Sequence, residues 1–406
     1  LKTQCSNAMK HFFPLFVLLF LCASWCNNNT LFAQNSHSIP PTALSLYPQQ
    51  YNAFFEMAYQ ANPSVPRGVL EAIAYTNTRM YHLTPSADHQ SCVGLPHAYG
   101  VMGLVENGKG WFNNNLVIAA DNARSTVAML KESPSANILA FAQYFAATQS
   151  ALNIHSNKVE DNIDVIRRVS ELPYTANVVN DFAMNSHLYA VLHFLQDPTF
   201  QNAYQLPAYK FKEAQIFGET NLALVSAKSI DLTHEFHSTT ETINNNTKSE
   251  QTPSTPQYSQ MACVMPSGPK EYSAAVTFDA PDVANYSNVV ISPYTIAIHD
   301  VEGSYAGCIS WFNNPSASVS AHYVMRSFDG QVTQMVCHRI KAYHVSSENP
   351  YAVGIEHEGY AAQGEVWYTN ALYNSSATLC RFIADDLSIN KLQTYDGPPI
   401  SGLQPM

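Results

Sequence analysis

Charge is what this chain has least of. Only 13% of its 406 residues are Asp, Glu, Lys or Arg, about half of the quarter usual for soluble domains. The surface must lean on Asn, Ser, Thr, Gln and the 23 Tyr instead, a composition that suits an exported protein. Basic residues are scarcer still, 20 Lys+Arg against 31 Asp+Glu for a net charge of −11, and they do not cluster. Counterion release from a phosphate backbone needs clustered cations, which argues against nucleic acid as a partner. No CxxC pair occurs among the cysteines beyond residue 33, Cys92, Cys263, Cys308, Cys337 and Cys380; one or two structural disulfides of unreadable connectivity are expected in an oxidising compartment. Long apolar runs are missing beyond residue 25, so no stable membrane span is expected. What is abundant is apolar residues, 46%, enough to exclude wholesale disorder and to fill two or three ordinary domains.

The start reads as an address. Met9-Lys10-His11 precede an apolar run from Phe12 to Trp25, followed by polar residues and Leu31-Phe32-Ala33-Gln34. A short positive region, an apolar stretch too short to span a bilayer and a small residue before a polar one mark a secretory signal cut after about Ala33. Residues 1–33 are therefore expected to be leader and signal peptide, and the rest a secreted or periplasmic protein of the cell envelope.

Beyond this the chain divides by pattern. Apolar residues at helical spacing, such as Tyr51, Phe54, Phe55 and Ala58 or Ile138, Phe141, Tyr144 and Phe145, predict a helical domain over 39–235. Residues 236–262 are rich in Ser, Thr, Asn, Gln and Pro and bury too little to offset ordering entropy, so they are expected to form a disordered linker. Residues 263–406 turn to short β-like runs, at 288–291, 295–299, 322–325, 332–337 and 352–356, with Asp329-Gly330 as a hairpin signal and a helix over 367–387. The fold class expected is multidomain, a helical N-terminal domain plus an α/β or α+β domain.

Two strings are decoys. Gly103 to Lys109 fits GxxxxGK, but Gly110 stands where Ser or Thr must bind Mg²⁺. His234-Glu235-Phe236-His237 lacks the HExxH spacing that places two His on one helix face.

Chemistry gathers in the C-terminal part. His299 ends the strand pattern Ile296-Ala297-Ile298-His299-Asp300, and Glu356 ends Val353-Gly354-Ile355-Glu356, where partial desolvation would raise a carboxyl toward general-base range. Taken singly, each is more often structural. In order, Ile296-Ala297-Ile298-His299, Val319-Ser320-Ala321-His322-Tyr323-Val324-Met325 with Asp329-Gly330, Ala342-Tyr343-His344 and Val353-Gly354-Ile355-Glu356-His357-Glu358-Gly359 resemble the zinc-dependent N-acetylmuramoyl-L-alanine amidase family, which includes the peptidoglycan-recognition proteins. The resemblance covers roughly residue 286 to the C-terminus. It implies a mixed β-sheet flanked by helices and one Zn²⁺ that activates water against the amide between N-acetylmuramic acid and L-alanine, with peptidoglycan or muropeptides as partners. By motif position His299 matches the first zinc ligand and Glu356 the catalytic carboxylate, Ala321 standing where some members use Tyr. His322 and His344 match residues that line or brace the site. The departure is that no His follows Leu387, so the remaining ligands are expected beyond Met406 and the chain as given is expected to be silent through truncation. A non-catalytic wall-binding protein is the alternative.

The helical part carries a looser likeness. Val65-Pro66-Arg67-Gly68-Val69-Leu70-Glu71-Ala72-Ile73-Ala74-Tyr75, then Gly94 and Tyr99-Gly100-Val101-Met102-Gly103-Leu104, is similar to the lysozyme-like fold of lytic transglycosylases. Asn77 stands at the position of that family's catalytic Glu, and an amide cannot protonate a glycosidic oxygen. A glycan-binding remnant is expected, with Glu71 on its surface.

Overall fold

The computed structural model describes residues 50–85, 91–175, 177–232, 276–277, 285–287 and 289–391. The expected signal peptide and the whole of the expected linker lie outside them. No helix among the described residues is long and apolar enough to cross a membrane.

The first part is helical: α1 (Asn52–Ala61), α2 (Val69–Thr78), α3 (Asn115–Asn122), α4 (Val127–Glu132), α5 (Pro134–Ala151), α6 (Ile163–Val169), α7 (Val178–Gln196), α8 (Pro198–Ala203) and α9 (Glu213–Val225). A small hairpin, β1 (Ala98–Tyr99) with β2 (Leu104–Val105), interrupts it. Local chemistry starts several helices: Ser133 caps α5 ahead of Pro134 at its first position, and Asn177 caps α7 by accepting from Val179 and Asn180 N–H, satisfying donors the helix cannot. Helix α7 is buried nearly all round, polar Asn180, Asn185, Ser186 and His187 included. Leu188, Val191 and Leu192 face one core with α2 and α5, and Val179, Phe182 and Ala183 face a second.

Helix α2 corrects one expectation. Glu71 is buried, only 3% exposed, with Tyr59 Oη donating to Oε2 at 2.5 Å. Residues Val69 to Ala74 are buried on every side, so the turn carrying Glu71 never meets solvent, and the Tyr59 hydroxyl compensates the carboxyl there.

The second part is a six-stranded mixed sheet in the order β4-β3-β7-β6-β8-β5, where β3 is Ser229–Asp231, β4 Val276–Thr277, β5 Thr295–Asp300, β6 Tyr323–Met325, β7 Val332–Gln334 and β8 Ala352–His357. Among the described strands of this sheet only β6 and β7 pair antiparallel, through the turn carrying Asp329-Gly330; Gly330 adopts φ +73° there, a conformation glycine takes without strain. Of the run expected over 288–291, the described residues 289–291 form one isolated bridge, Val290 to Ile340, rather than a strand, and residue 288 lies outside the described residues. Helix α10 (Tyr305–Phe312) covers one face, while α11 (Gly364–Trp367) and α12 (Asn370–Asp386) follow β8, and α12 covers the other face with Leu372, Leu379 and Ile383.

The two parts share a core and a sheet. Tyr305, Ile309, Trp311 and Phe312 of α10 bury with Leu95, Phe112, Val179 and Phe182 of the helical part, each such side chain contributing about 1.5–3 kcal/mol. Polar groups cross the same seam: Trp311 Nε1 donates to Val93 O at 2.7 Å, Ser310 Oγ to Asn180 Oδ1 at 2.9 Å and Gln331 Nε2 to Ala227 O at 2.6 Å. Strand β3, at the end of the helical part, pairs with β7.

Candidate active site

Strands β5 and β8 run parallel in a register that sets His299 beside Glu356 and Asp300 beside His357. Side chains alternate along a strand and partners in register share a face. His299 and Glu356 therefore project toward the α10 side, as does Val324, which pairs with Glu356 from β6. Asp300 and His357 project the other way, where the Tyr368 hydroxyl donates to Asp300 and Ser376 of α12 bonds His357 Nε2 at 2.9 Å.

Gly354 brings a third histidine to the pair. A Cβ at that position would lie 2.5 Å from His344 Nδ1, so the missing side chain is what lets the His344 ring approach β8. His344 Nε2 lies 3.2 Å from Ala352 O, and a carbonyl only accepts, so that nitrogen carries the proton and Nδ1 is left as acceptor. His299 Nε2, 3.1 Å away, donates to it. His322 uses both nitrogens on backbone, Nε2 donating to Ile340 O at 2.9 Å and Nδ1 accepting from Gly354 N–H at 3.0 Å. It is a brace that locks the strand carrying Gly354 against β6.

Electrostatics follow from burial. Desolvation, then the charge of His357, holds His299 down at about 4; desolvation, then His299, holds His344 down at about 3, so both rings are neutral at pH 7. Glu356 is fully buried and neither carboxyl oxygen has a hydrogen-bond partner. Burial first, and the Asp300 charge second, push it well above the usual carboxylate range. Asp300 itself is pushed up to about 6 by burial, against the Tyr368 hydrogen bond that favours its ionised form.

The strand-end motifs named His299, His322, His344 and Glu356, and the fold brings all four to one patch of sheet. Asp300, His357 and Glu358 stand in the same motifs without an expected role. The signal was in the same runs: alternation puts Asp300 and His357 on the opposite face. Glu358 then accepts from Tyr305 N–H at 3.0 Å and Ser327 N–H at 2.7 Å, tying α10 to the loop after β6.

Among the described residues no group of three His, Cys, Asp or Glu side chains is placed to hold a metal ion. A catalytic zinc takes three protein ligands and a water. His299 offers one nitrogen, and His344 spends one of its two on a carbonyl. The described side chains alone therefore do not fit a zinc site.

Comparison with known proteins bears on the same strands. Residues 291–402 match the family model of N-acetylmuramoyl-L-alanine amidases, Amidase_2. An "N-acetylmuramoyl-L-alanine amidase A" of Achromobacter lyticus is 45% identical over 115 residues, 28% of this chain. The chain spans 64% of the length of that relative. A solved structure described as "Structure of PlyL" is 16% identical over 26% of this chain and 68% of its own, at a TM-score of 0.22, a likeness too slight to bear on the fold. The matched segment 291–402 contains the three histidines and Glu356, and the helical part lies outside it.

Proposed function

We propose that the protein is an exported peptidoglycan amidase whose C-terminal part hydrolyses the amide joining N-acetylmuramic acid to L-alanine. The family match and the 45% identical relative support the reaction class. The observation that carries the assignment to residues is Glu356: a fully buried carboxyl with two unpartnered oxygens, in register beside His299 at the end of a parallel strand. A carboxyl whose pKa is raised holds and releases a proton nearer neutral pH. Water adds to the amide carbonyl as Glu356 takes its proton, and the C–N bond breaks as Glu356 returns that proton to the leaving amine of L-alanine. The neutral His299–His344 pair spends both N–H groups and the His344 Nδ1 lone pair on the bonds already described, which leaves His299 Nδ1 as its one uncommitted lone pair. Zinc belongs to this reading through the resemblance, with His299 as its one assigned ligand. Export rests on residues 1–33 as leader and signal peptide.

The test is Glu356→Gln. Cleavage of a muramoyl-peptide should fall at least a hundredfold, within the usual range for general acid–base catalysis, while far-UV circular dichroism stays unchanged. Wild-type turnover by the variant would remove Glu356 from the reaction. Intact sacculi bound but not cut by the wild-type chain would favour the recognition-protein reading. For the metal, activity lost to a chelator and restored by Zn²⁺ supports it, and activity indifferent to both removes zinc from the proposal.

A further inference from the structure

A buried cation of the helical part reaches across the seam to the strands that carry the site. Arg79 closes α2 at its C-terminal end and is only 6% exposed. Burying a guanidinium is costly unless its N–H groups and its charge find partners. Nη1 donates to Tyr75 O at 2.7 Å, and the charge lies against two rings, 4.6 Å from the centre of Tyr75 and 4.0 Å from that of Trp367. Arg79 and Met80 both adopt left-handed angles, φ +51° and +67°, which residues bearing a Cβ keep only where their surroundings hold them. Trp367 ends α11, within the matched segment 291–402, and Arg79 lies outside that segment. A second contact runs beside the first, from Tyr81 Oη to Glu365 Oε1 of α11 at 3.2 Å.

Trp367 leads from there toward the reacting groups. It is fully buried and packs on the turn after β8, where a Cβ at Gly359 would lie 2.6 Å from Trp367 Cβ. That turn is zipped to the one after β5. Gly303 N–H donates to Gly359 O at 2.8 Å and Gly359 N–H to Gly303 O at 3.1 Å, just beyond Val301 N–H on His357 O at 3.0 Å. The ends of β5 and β8 that carry His299 and Glu356 in register are therefore joined where Trp367 presses on them. Glu358 senses the same cation: burial pushes its carboxyl up, and the Arg79 charge is foremost among the influences that pull it back.

Glu356 has most to gain from such a hold. Neither of its carboxyl oxygens has a hydrogen-bond partner, so no bond of its own orients it and its place is set by the backbone that carries it. A misplacement of about 1 Å at a reacting group can cost a hundredfold in rate. We propose that Arg79 is a positioning residue for the amide-cleaving site: it holds Trp367 against the joined ends of β5 and β8, so that Glu356 and His299 keep their mutual placement. The kinetic consequence rests on the amidase reading; the hold on the strand ends does not.

Hydrogen–deuterium exchange on the full chain reads the hold directly. Arg79→Ala should speed exchange of the amides of 299–304 and 354–360 at least tenfold while leaving α5, in the first core, as in the wild type. Arg79→Lys keeps the charge but loses the flat stacking surface, and should fall between the two. Trp367→Leu should loosen the same amides, and adding Arg79→Ala to it should bring no further change, because both cut one route. Exchange unchanged at 299–304 and 354–360 overturns the inference, and so does exchange raised equally in α5, which would mean general loosening. Should Arg79→Ala misfold, Arg79→Lys decides by the same amides. In cleavage of a muramoyl-peptide, Arg79→Ala should lower kcat at least tenfold at unchanged KM, with part of the loss recovered in Arg79→Lys. A raised KM at unchanged kcat, or wild-type turnover by Arg79→Ala, sinks the positioning role alone. A wild-type chain that does not cleave, with exchange as expected in the variants, sinks the amidase reading and not the hold of Arg79 on the strand ends.

Discussion

Glu356 sets a conflict between stability and chemistry at a single residue. Its folded-state pKa is raised by burial and by Asp300, so the folded protein holds that proton more tightly than the unfolded chain does. The stability this contributes is full at low pH and is lost as pH rises from the unfolded value, about 4.3, through the raised folded one. At neutral pH the carboxyl is thus a cost. Glu356→Gln is expected to raise the melting temperature at pH 7 and to leave it nearly unchanged near pH 4; thermal melts at both pH values check this, and a lower melting temperature at pH 7 would mean that a cation partners the carboxylate. The Asp300 charge is the second cause of the shift, so Asp300→Asn should move the acid limb of the kcat/KM profile to lower pH, and a limb that stays put would show that Asp300 does not act on Glu356. His299 and Glu356 were legible in the sequence because both end apolar runs. The coupling to Asp300 was not, because it arises from burial of two neighbouring strands, which no single run displays.

At the scale of elements, β8 is the strand on which the site is assembled. All six of its residues are buried, as a central parallel strand requires, and its one glycine is where His344 docks. Gly354→Ala places a Cβ 2.5 Å from His344 Nδ1. Overpacking of this kind costs about 1–3 kcal/mol, and displacing His344 breaks its bond to His299, so turnover should fall at least tenfold; denaturant melts and steady-state kinetics read the two effects separately, and unchanged kinetics would show that the His299–His344 contact is dispensable. Strands β5, β6, β7 and β8 could be read from alternation and turn residues, as could α12 from its one apolar side. Helix α10 could not, because Tyr305-Ala306-Gly307-Cys308-Ile309-Ser310-Trp311-Phe312 is buried throughout and shows no polar face to give it a period. Strand β3 could not either: three residues carry too little pattern.

For the whole molecule, the change in composition after residue 238 invites a picture of two beads on a string, and the packing replaces it. The second core draws on α7 and α10 together, while the first lies wholly in the helical part, so each part leaves some of its apolar surface for the other to cover. The full chain is expected to melt in one cooperative transition, and residues 39–235 expressed alone, which keep the first core but lose partners of the second, are expected to melt at a lower temperature; calorimetry on both decides, and an unchanged transition in the fragment would show that the shared core contributes nothing. Glu171 and Asn77 illustrate the same limit of reading at this scale. Asn77 is legible from the motif around it, whereas nothing in the sequence near Glu171 shows that the fold sets it across from Ser304.

Strand β3 also bears on how such a gene can be rearranged. It is encoded ahead of the Ser- and Thr-rich stretch, yet it lies between β4 and β7 in the sheet. A recombination breakpoint placed at the most inviting seam, within 238–260, would hand the descendant gene a sheet whose β7 has lost its neighbour, a bare edge of the kind that recruits other chains. The durable breakpoint lies upstream of Ser229, so that any lineage borrowing the C-terminal half must inherit with it a strand from the half it leaves behind.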